Sequence, residues 1–362
     1  MKRLMLVCVM ILCLILSCGV AQAVDWEQYA VDDRYYVRTR FSYDGDNTII
    51  LEENRSIIWE RNGERFSQLL FSDHPALRGG FIITGLPDGT CGLLLRDAEM
   101  PAIRNSDDLA YQVWDGDTLR PIREWHGAGV RGVFGEYGFL VSFESGEAML
   151  YDFAGQEIWH GTLGEETCNN VQSLTMRSET DWSCVLFSYD GINEAYVRVR
   201  DGEIIQRRRI PYGGIRVYTP LADGLTAAIQ CRNDGEYGPV SLSVINSENE
   251  TLLTKKLSGD RLIVGSHLLL EQSDGTLAVY GSAVANSRRI YLVWRLVVDS
   301  ELNLISLDVR DCSYHRDYGP GVSVYQDGSC WVSLKDYHTG APDVRVPFTA
   351  LPVVSNHSLK WE

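Results

Sequence analysis

Phe41-Ser-Tyr-Asp-Gly45 recurs unchanged as Phe187-Ser-Tyr-Asp-Gly191. A second set repeats the punctuation: Pro87-Asp-Gly-Thr-Cys-Gly-Leu93, Ser273-Asp-Gly-Thr-Leu-Ala-Val279 and Gln326-Asp-Gly-Ser-Cys-Trp-Val332. Seven turn glycines (Gly45, Gly89, Gly146, Gly191, Gly235, Gly275, Gly328) follow one another at intervals of 44, 57, 45, 44, 40 and 53 residues. Six close Asp-Gly pairs and one closes Ser145-Gly146. Asp-Gly between apolar runs predicts a hairpin, with a tight primed turn that needs positive φ. A hairpin signal repeated at this spacing predicts an all-β chain built blade by blade, a β-propeller. Seven units predict about seven blades, with six as the alternative if the first is partial; stacked β-sandwiches are the competing architecture.

The flanking sequence agrees. Gly79-Gly-Phe-Ile-Ile-Thr-Gly85, Gly138-Phe-Leu-Val-Ser-Phe143, Ala195-Tyr-Val-Arg-Val-Arg200 and Val322-Ser-Val-Tyr325 are rich in β-branched and aromatic residues. No segment after residue 23 carries a 3.6-residue apolar stripe, so little helix is expected. Glu124-Trp-His-Gly127 is echoed by Ile158-Trp-His-Gly161. That echo predicts a repeated structural role for His126 and His160. Val24 to Arg34 is a weak strand candidate. Leu351 to Glu362 is expected to complete the first blade and close the ring, removing exposed edges.

Three further segments combine a strand, a polar step and a second strand: Met149-Leu-Tyr-Asp-Phe-Ala-Gly-Gln-Glu-Ile-Trp159, Val244-Ile-Asn-Ser-Glu-Asn-Glu-Thr-Leu-Leu253 and Val298-Asp-Ser-Glu-Leu-Asn-Leu-Ile305. The first resembles the repeat of quinoprotein-type and related bacterial propellers, in which an aspartate turn, a glycine and a tryptophan close each blade. The resemblance covers Tyr151 to Trp159 by residue and the rest of the body by rhythm. The rhythm is also WD-repeat-like, although Trp-Asp occurs once, at Trp114-Asp115. No particular functional family is implied.

The first 23 residues read as an export signal: Lys2-Arg3, an apolar run from Leu4 to Leu16, then Ala21-Gln22-Ala23 at the cleavage position. The alternative is a lipoprotein signal over 1–17 with acylated Cys18, from Ile15-Leu16-Ser17-Cys18. Residues 24–362 are then one propeller domain, secreted or extracytoplasmic, and held at a membrane through a lipid in the Cys18 reading. No stretch after the leader has the ~20 apolar residues of a membrane span. The net charge of −16 becomes −18 once Lys2 and Arg3 are removed. Such acidity disfavours nucleic acid and anionic membranes, which need clustered Lys and Arg.

Six cysteines follow the leader. In an exported chain, Cys168 with Cys184 and Cys312 with Cys330 are the disulfide candidates nearest in sequence. No zinc, cofactor or nucleophile-elbow motif is present, so no metal or cofactor is expected. Asp44-Gly45-Asp46 and Asp115-Gly116-Asp117 lack calcium-loop spacing and read as turns. Trp59, Trp125, Trp159, Trp294 and Trp331 are expected to pack between blades.

Against the acidic background, Arg198, Arg200, Arg207, Arg208, Arg209 and Arg216 fall within nineteen residues. Arg198 and Arg200 share a strand face, and Asp201-Gly202 turns the chain back toward Arg207 and Arg209. Guanidinium groups suit bidentate capture of carboxylates or phosphates, so the hairpin is a candidate anion patch for an acidic glycan. The sequence thus predicts an exported, noncatalytic recognition or scaffold protein of the bacterial envelope, with a protein or glycan ligand. The alternative is an extracytoplasmic carbohydrate-active enzyme, a glycosidase or lyase using carboxylates of the central channel.

Overall fold

The computed structural model describes residues 35–40, 47–52, 56–61, 64–74, 77, 81–96, 108–164, 170–187, 194–210, 216–231, 239–259, 268–285, 290–312, 321–324, 329–334 and 344–362. These form seven antiparallel sheets whose strands follow chain order from one edge to the other. The first holds β1 (Tyr35–Arg40), β2 (Asn47–Glu52), β3 (Ser56–Arg61) and β4 (Glu64–Leu70), and the second β5 (Phe81–Gly85), β6 (Cys91–Arg96), β7 (Asp108–Trp114) and β8 (Leu119–His126). The third holds β9 (Arg131–Phe134), β10 (Gly138–Ser142), β11 (Glu147–Asp152) and β12 (Glu157–Thr162). The fourth holds β13 (Asn170–Ser178), β14 (Asp181–Phe187), β15 (Glu194–Arg200) and β16 (Glu203–Ile210). The fifth holds β17 (Arg216–Pro220), β18 (Thr226–Cys231), β19 (Val240–Ile245) and β20 (Thr251–Ser258), and the sixth β21 (Leu268–Glu271), β22 (Leu277–Ala285), β23 (Ile290–Val298) and β24 (Leu304–Asp311). The seventh holds β25 (Gly321–Val324), β26 (Cys330–Leu334) and β27 (Val344–Pro347); β28 (Lys360–Trp361) joins the fifth.

The first strand of each sheet touches the first strand of the next, from β1 with β5 through to β21 with β25. Sheets joined by their innermost strands in sequence make a β-propeller. No α-helix occurs among the described residues; Ala222–Gly224 and Phe348–Ala350 are short 3-10 turns.

The apolar core is a series of wedges between neighbouring sheets. Ile49, Ile57 and Trp59 of the first sheet pack with Leu93 and Trp114 of the second. Leu140 and Leu150 of the third pack with Trp182 and Cys184 of the fourth. Leu242 and Leu257 of the fifth pack with Trp294 and Leu296 of the sixth. The middle strands therefore bury both faces. Leu93, Leu94 and Leu95 are all buried, which is why alternation is only partial there. Four of the five tryptophans expected between blades pack in that way. Trp59 meets Trp114 at 5.4 Å, and Trp159 meets Trp182 at 5.2 Å. Trp125 donates to the Tyr151 hydroxyl at 3.0 Å, and Trp294 is wholly buried.

The glycine rhythm conceals two kinds of hairpin. Gly89 and Gly275 lie between the first and second strands of their sheets, whereas Gly146 lies between the second and third. In chain order Gly45 and Gly328 belong with the former, Gly191 and Gly235 with the latter; these four lie outside the described residues. The change of class accounts for the longest interval, 57, and the shortest, 40. The two Phe-Ser-Tyr-Asp-Gly copies therefore occupy non-equivalent connections.

The expected primed geometry needs correction too. Around Gly89, Leu86 N donates to Thr90 O and Gly89 N to Leu86 O, and only the glycine of the loop has positive φ, +81°. That is a three-residue loop with a left-handed glycine. Both residues are left-handed in Asp201-Gly202, at φ 49° and 85°, joining β15 to β16, and in Asp223-Gly224, at φ 58° and 78°, joining β17 to β18.

The outermost hairpins use another device. Asp152, Asn246 and Asp299 each accept a backbone N–H four residues on, from Gln156, Glu250 and Asn303. The fourth residue of each turn is left-handed: Gly155, Asn249 and Leu302. In each of the first six sheets the third and fourth strands also shift register, as between Leu150 and Tyr151 or Val244 and Ile245. Bulges twist an outer edge and oppose edge-to-edge association.

The C-terminal expectation is overturned. Lys360 and Trp361 pair with Ser258 and Leu257, so this segment extends the fifth sheet instead of completing the first. Residues 24–34 lie outside the described residues.

Candidate binding surface

The hairpin of β15 and β16 carries most of the predicted arginine patch, and it divides that patch. Arg198 is 0% exposed, which removes it from any surface patch. Its Nε and Nη2 donate to Asp181 at 2.9 and 2.8 Å, Nη2 also to Leu221 O at 2.7 Å, and Nη1 to Leu225 O. A guanidinium can enter this wedge because the carboxylate and two carbonyls replace its water. Arg198 therefore bolts the fourth sheet to the first hairpin of the fifth.

Arg200 is 42% exposed in its side chain and lies 4.0 Å from Asp201. In β16, Arg207 and Arg208 are half-buried and Arg209 is exposed. Their register partners are Val197, Tyr196 and Ala195. Arg207 and Arg209 consequently share the face turned to the third sheet, while Arg208 shares the Tyr196 face turned to the fifth. Arg216 opens β17, and its side chain lies outside the described residues.

The predicted disulfides also need correction. Cys184, Cys312 and Cys330 are free thiols, as is Cys91, so Cys312 and Cys330 are not joined. Each is packed among apolar side chains as a small hydrophobe. Burial pushes the Cys184 and Cys330 thiols up to about 12 and raises Cys91 and Cys312 as well. Protonated, buried thiols are poor nucleophiles. Cys168 lies outside the described residues, as do Cys18 and the rest of residues 1–34.

His126 Nδ1 donates to Asp108 Oδ1 at 2.6 Å, and that bond holds the imidazole above its ordinary pKa. His160 Nε2 donates to Glu147 Oε1 at 2.8 Å. Each histidine meets a carboxylate on the adjacent strand, but their positions differ: His126 ends β8, while His160 lies within β12 opposite Met149. Asp115 accepts N–H groups from Thr118 and Asp117, which lowers its pKa and gives it turn duty; Asp44 and Asp46 lie outside the described residues. Among the described residues, no group of three or more His, Cys, Asp and Glu is placed to hold a metal ion.

Adjacent sheets are tied along the rim by one recurring joint, in which the outermost strand meets the outer turn of the following sheet. Ser67 donates to Gly116 O, Arg123 to Gly155 O at 3.3 Å and Trp159 to Gly202 O at 2.9 Å. Gln206 donates to Asn246 O at 2.8 Å, and Lys255 to Asn303 Oδ1 at 3.2 Å. At the last joint the rim is unusually apolar. Leu252 and Leu253 of β20 are 51% and 40% exposed, and Leu304 and Ile305 of β24 are 49% and 56% exposed. Sequence reading missed these four because an apolar pair at the start of a strand looks like core. The signal that could have found them is position: each pair directly follows an Asx turn, where the register shifts.

No helix among the described residues is long and apolar enough to cross a membrane. No family model matches the chain, and no curated protein matches it. Among solved structures it is similar to the BBS1N chain crystallised in complex with ARL6DN, with a TM-score of 0.46, 14% identity, and coverage of 91% of this chain and 94% of that one. It is also similar to the Dos1 propeller, with a TM-score of 0.48, 11% identity, and coverage of 85% and 76%. A structure of a eukaryotic initiation factor gives a TM-score of 0.43 at 10% identity, covering 92% and 94%.

Proposed function

We propose that the protein is an extracytoplasmic recognition scaffold whose ligand is a protein docked on the rim of the fifth and sixth sheets. The observation carrying this reading is the exposure of Leu252, Leu253, Leu304 and Ile305 on the outer strands of two sheets joined where Lys255 of β20 meets Asn303 of the turn before β24. Clustered exposed apolar side chains on a folded surface favour a protein partner, because burying them releases about 25 cal/mol per Å². The leader, with Lys2-Arg3, its apolar run and Ala21-Gln22-Ala23, supports export, with cleavage after Ala23 or lipidation of Cys18. The test is capture of envelope proteins by the mature chain, compared with a Leu253→Ser, Ile305→Ser variant. Loss of a specific partner with melting unchanged supports the rim; identical capture by both rejects it.

A second reading is favoured by the charge of one hairpin. Arg207 and Arg209 share one face and remain as candidates for an acidic glycan; Arg198 is buried, and Arg200 lies on the opposite face, beside Gly224 of the fifth sheet. Replacing Arg207 and Arg209 by Gln should weaken binding of a polyanionic glycan and flatten its salt dependence. Unchanged binding excludes that patch.

A further inference from the structure

After the seventh sheet the chain crosses the outermost strand of the sixth. Asp311 N donates to Pro352 O and Val354 N to Val309 O, each at 2.9 Å. It then settles on β20, where Lys256 and Glu362 exchange both backbone hydrogen bonds, at 2.7 and 2.9 Å. Three features make this a fitted seat. Leu359 is buried in the apolar cluster that contains Leu257 and Leu302. Trp361 Nε1 donates to Leu302 O at 2.8 Å, and Leu302 presents that carbonyl from a left-handed backbone at φ 60°. Gly259 leaves the space through which the segment passes: a Cβ there would lie 3.0 Å from Leu359 Cα and from Ser358 O. Between the two anchored stretches, Ser355, Asn356 and Ser358 are exposed, and the buried Nδ1 of His357 makes no hydrogen bond.

We propose that this seat exchanges its occupant between two copies of the chain. Leu359–Glu362 of one copy would fill the groove beside Leu257–Gly259 of another, giving a segment-exchanged dimer. The occupant follows from the fit. The seat demands a leucine in the cluster, an indole two residues on at the Leu302 carbonyl, and backbone passing over Gly259. Leu359–Glu362 meets all three demands, and a second copy carries the same segment. Exchange preserves each of these contacts, so concentration and the strain of the linker set the balance between closed monomer and dimer. The inference is independent of any rim ligand.

A complementation experiment tests it. A full chain with Leu359→Asp and Trp361→Asp keeps the seat and loses the plug; a full chain with Gly259→Val keeps the plug and loses the seat. Each alone should remain monomeric by light scattering. Annealed together at high concentration, they should form a one-to-one complex joined by a single exchange. Monomers only from the mixture, with both variants retaining the parent circular dichroism, would overturn the proposal. Dimerisation of the Asp variant alone would overturn it equally, since that chain has no plug. Where either variant fails to fold, Ser258→Cys and Lys360→Cys are placed in one otherwise unaltered chain, across the observed pairing. Heavy- and light-isotope copies are annealed together and oxidised. Mixed-isotope 258–360 cross-links support exchange, and exclusively same-isotope cross-links reject it.

Discussion

Arg177 Nε lies 2.6 Å from Glu271 Oε2, joining the inner strands of the fourth and sixth sheets across the first hairpin of the fifth. The other carboxylate oxygen accepts Ala222 N of that hairpin at 3.4 Å. One ion pair thus spans three consecutive sheets at the mouth of the ring. Arg177 is 41% exposed in its side chain, so solvent screens much of the attraction. Arg177→Ala should cost about 0.5–1 kcal/mol. The loss should shrink in high salt, as read from urea melts at two ionic strengths.

The Asp181 and Arg198 pair should behave differently, because Arg198 is wholly buried. Arg198→Leu strands a carboxylate and two carbonyls, at a cost of about 3–5 kcal/mol. Adding Asp181→Leu should recover part of that loss but not all, since Leu221 O and Leu225 O remain without their donor. A double-mutant cycle on denaturant midpoints measures the coupling.

Glu136 couples stability to pH. Its Oε2 accepts Met176 N at 2.5 Å, tying the third sheet to the fourth, and burial holds the carboxyl above its ordinary pKa despite that bond. The folded chain therefore favours the protonated acid. Its contribution is fully present below the ordinary carboxylate pKa and is lost as pH rises through the raised value. Glu136→Gln keeps an acceptor for Met176 and cannot ionise. The variant should melt higher than the parent at neutral pH and converge with it in acid.

Leu302 sets two effects against each other. Its left-handed backbone costs about 1–2 kcal/mol relative to glycine, while its side chain is wholly buried in the wedge between the fifth and sixth sheets. Truncating a buried leucine costs about 2–5 kcal/mol. Burial should win, and Leu302→Gly should lower the melting temperature. A higher melting temperature would show that backbone strain dominates.

The free thiols give a chemical check. Cys91, Cys184 and Cys312 are buried, and Cys330 is half-buried with its thiol pushed up to about 12. The native protein at neutral pH should label slowly at these positions with a thiol reagent. Denaturation without reductant should release all four. A Cys312–Cys330 bridge would leave those two unlabelled.

Much of the fold was legible because hairpins are local. Asp-Gly turns and β-branched runs specify pairings between strands a few residues apart, and the equivalent loops at Gly89 and Gly275 could be recognised by composition. The identical pentapeptides misled because Asp-Gly serves any connection that accepts a left-handed glycine, whichever two strands it joins. The candidate site was less legible. Arg198 and Arg200 share a strand face, yet one is buried between sheets and the other reaches solvent.

Local sequence suffices for the strand-rich repeat, its hairpins and the wedge-filling role of the tryptophans, since these depend on backbone geometry and side-chain volume over short spans. Three other outcomes emerge only from the assembled ring: Arg198 is a bolt, Leu252, Leu253, Leu304 and Ile305 remain outside, and Leu359 and Trp361 return to the fifth sheet. They depend on which sheets become neighbours and how far each strand lies from the centre. A two-residue alternation records neither quantity, because strands buried on both faces and strands on the rim can carry the same apolar pattern.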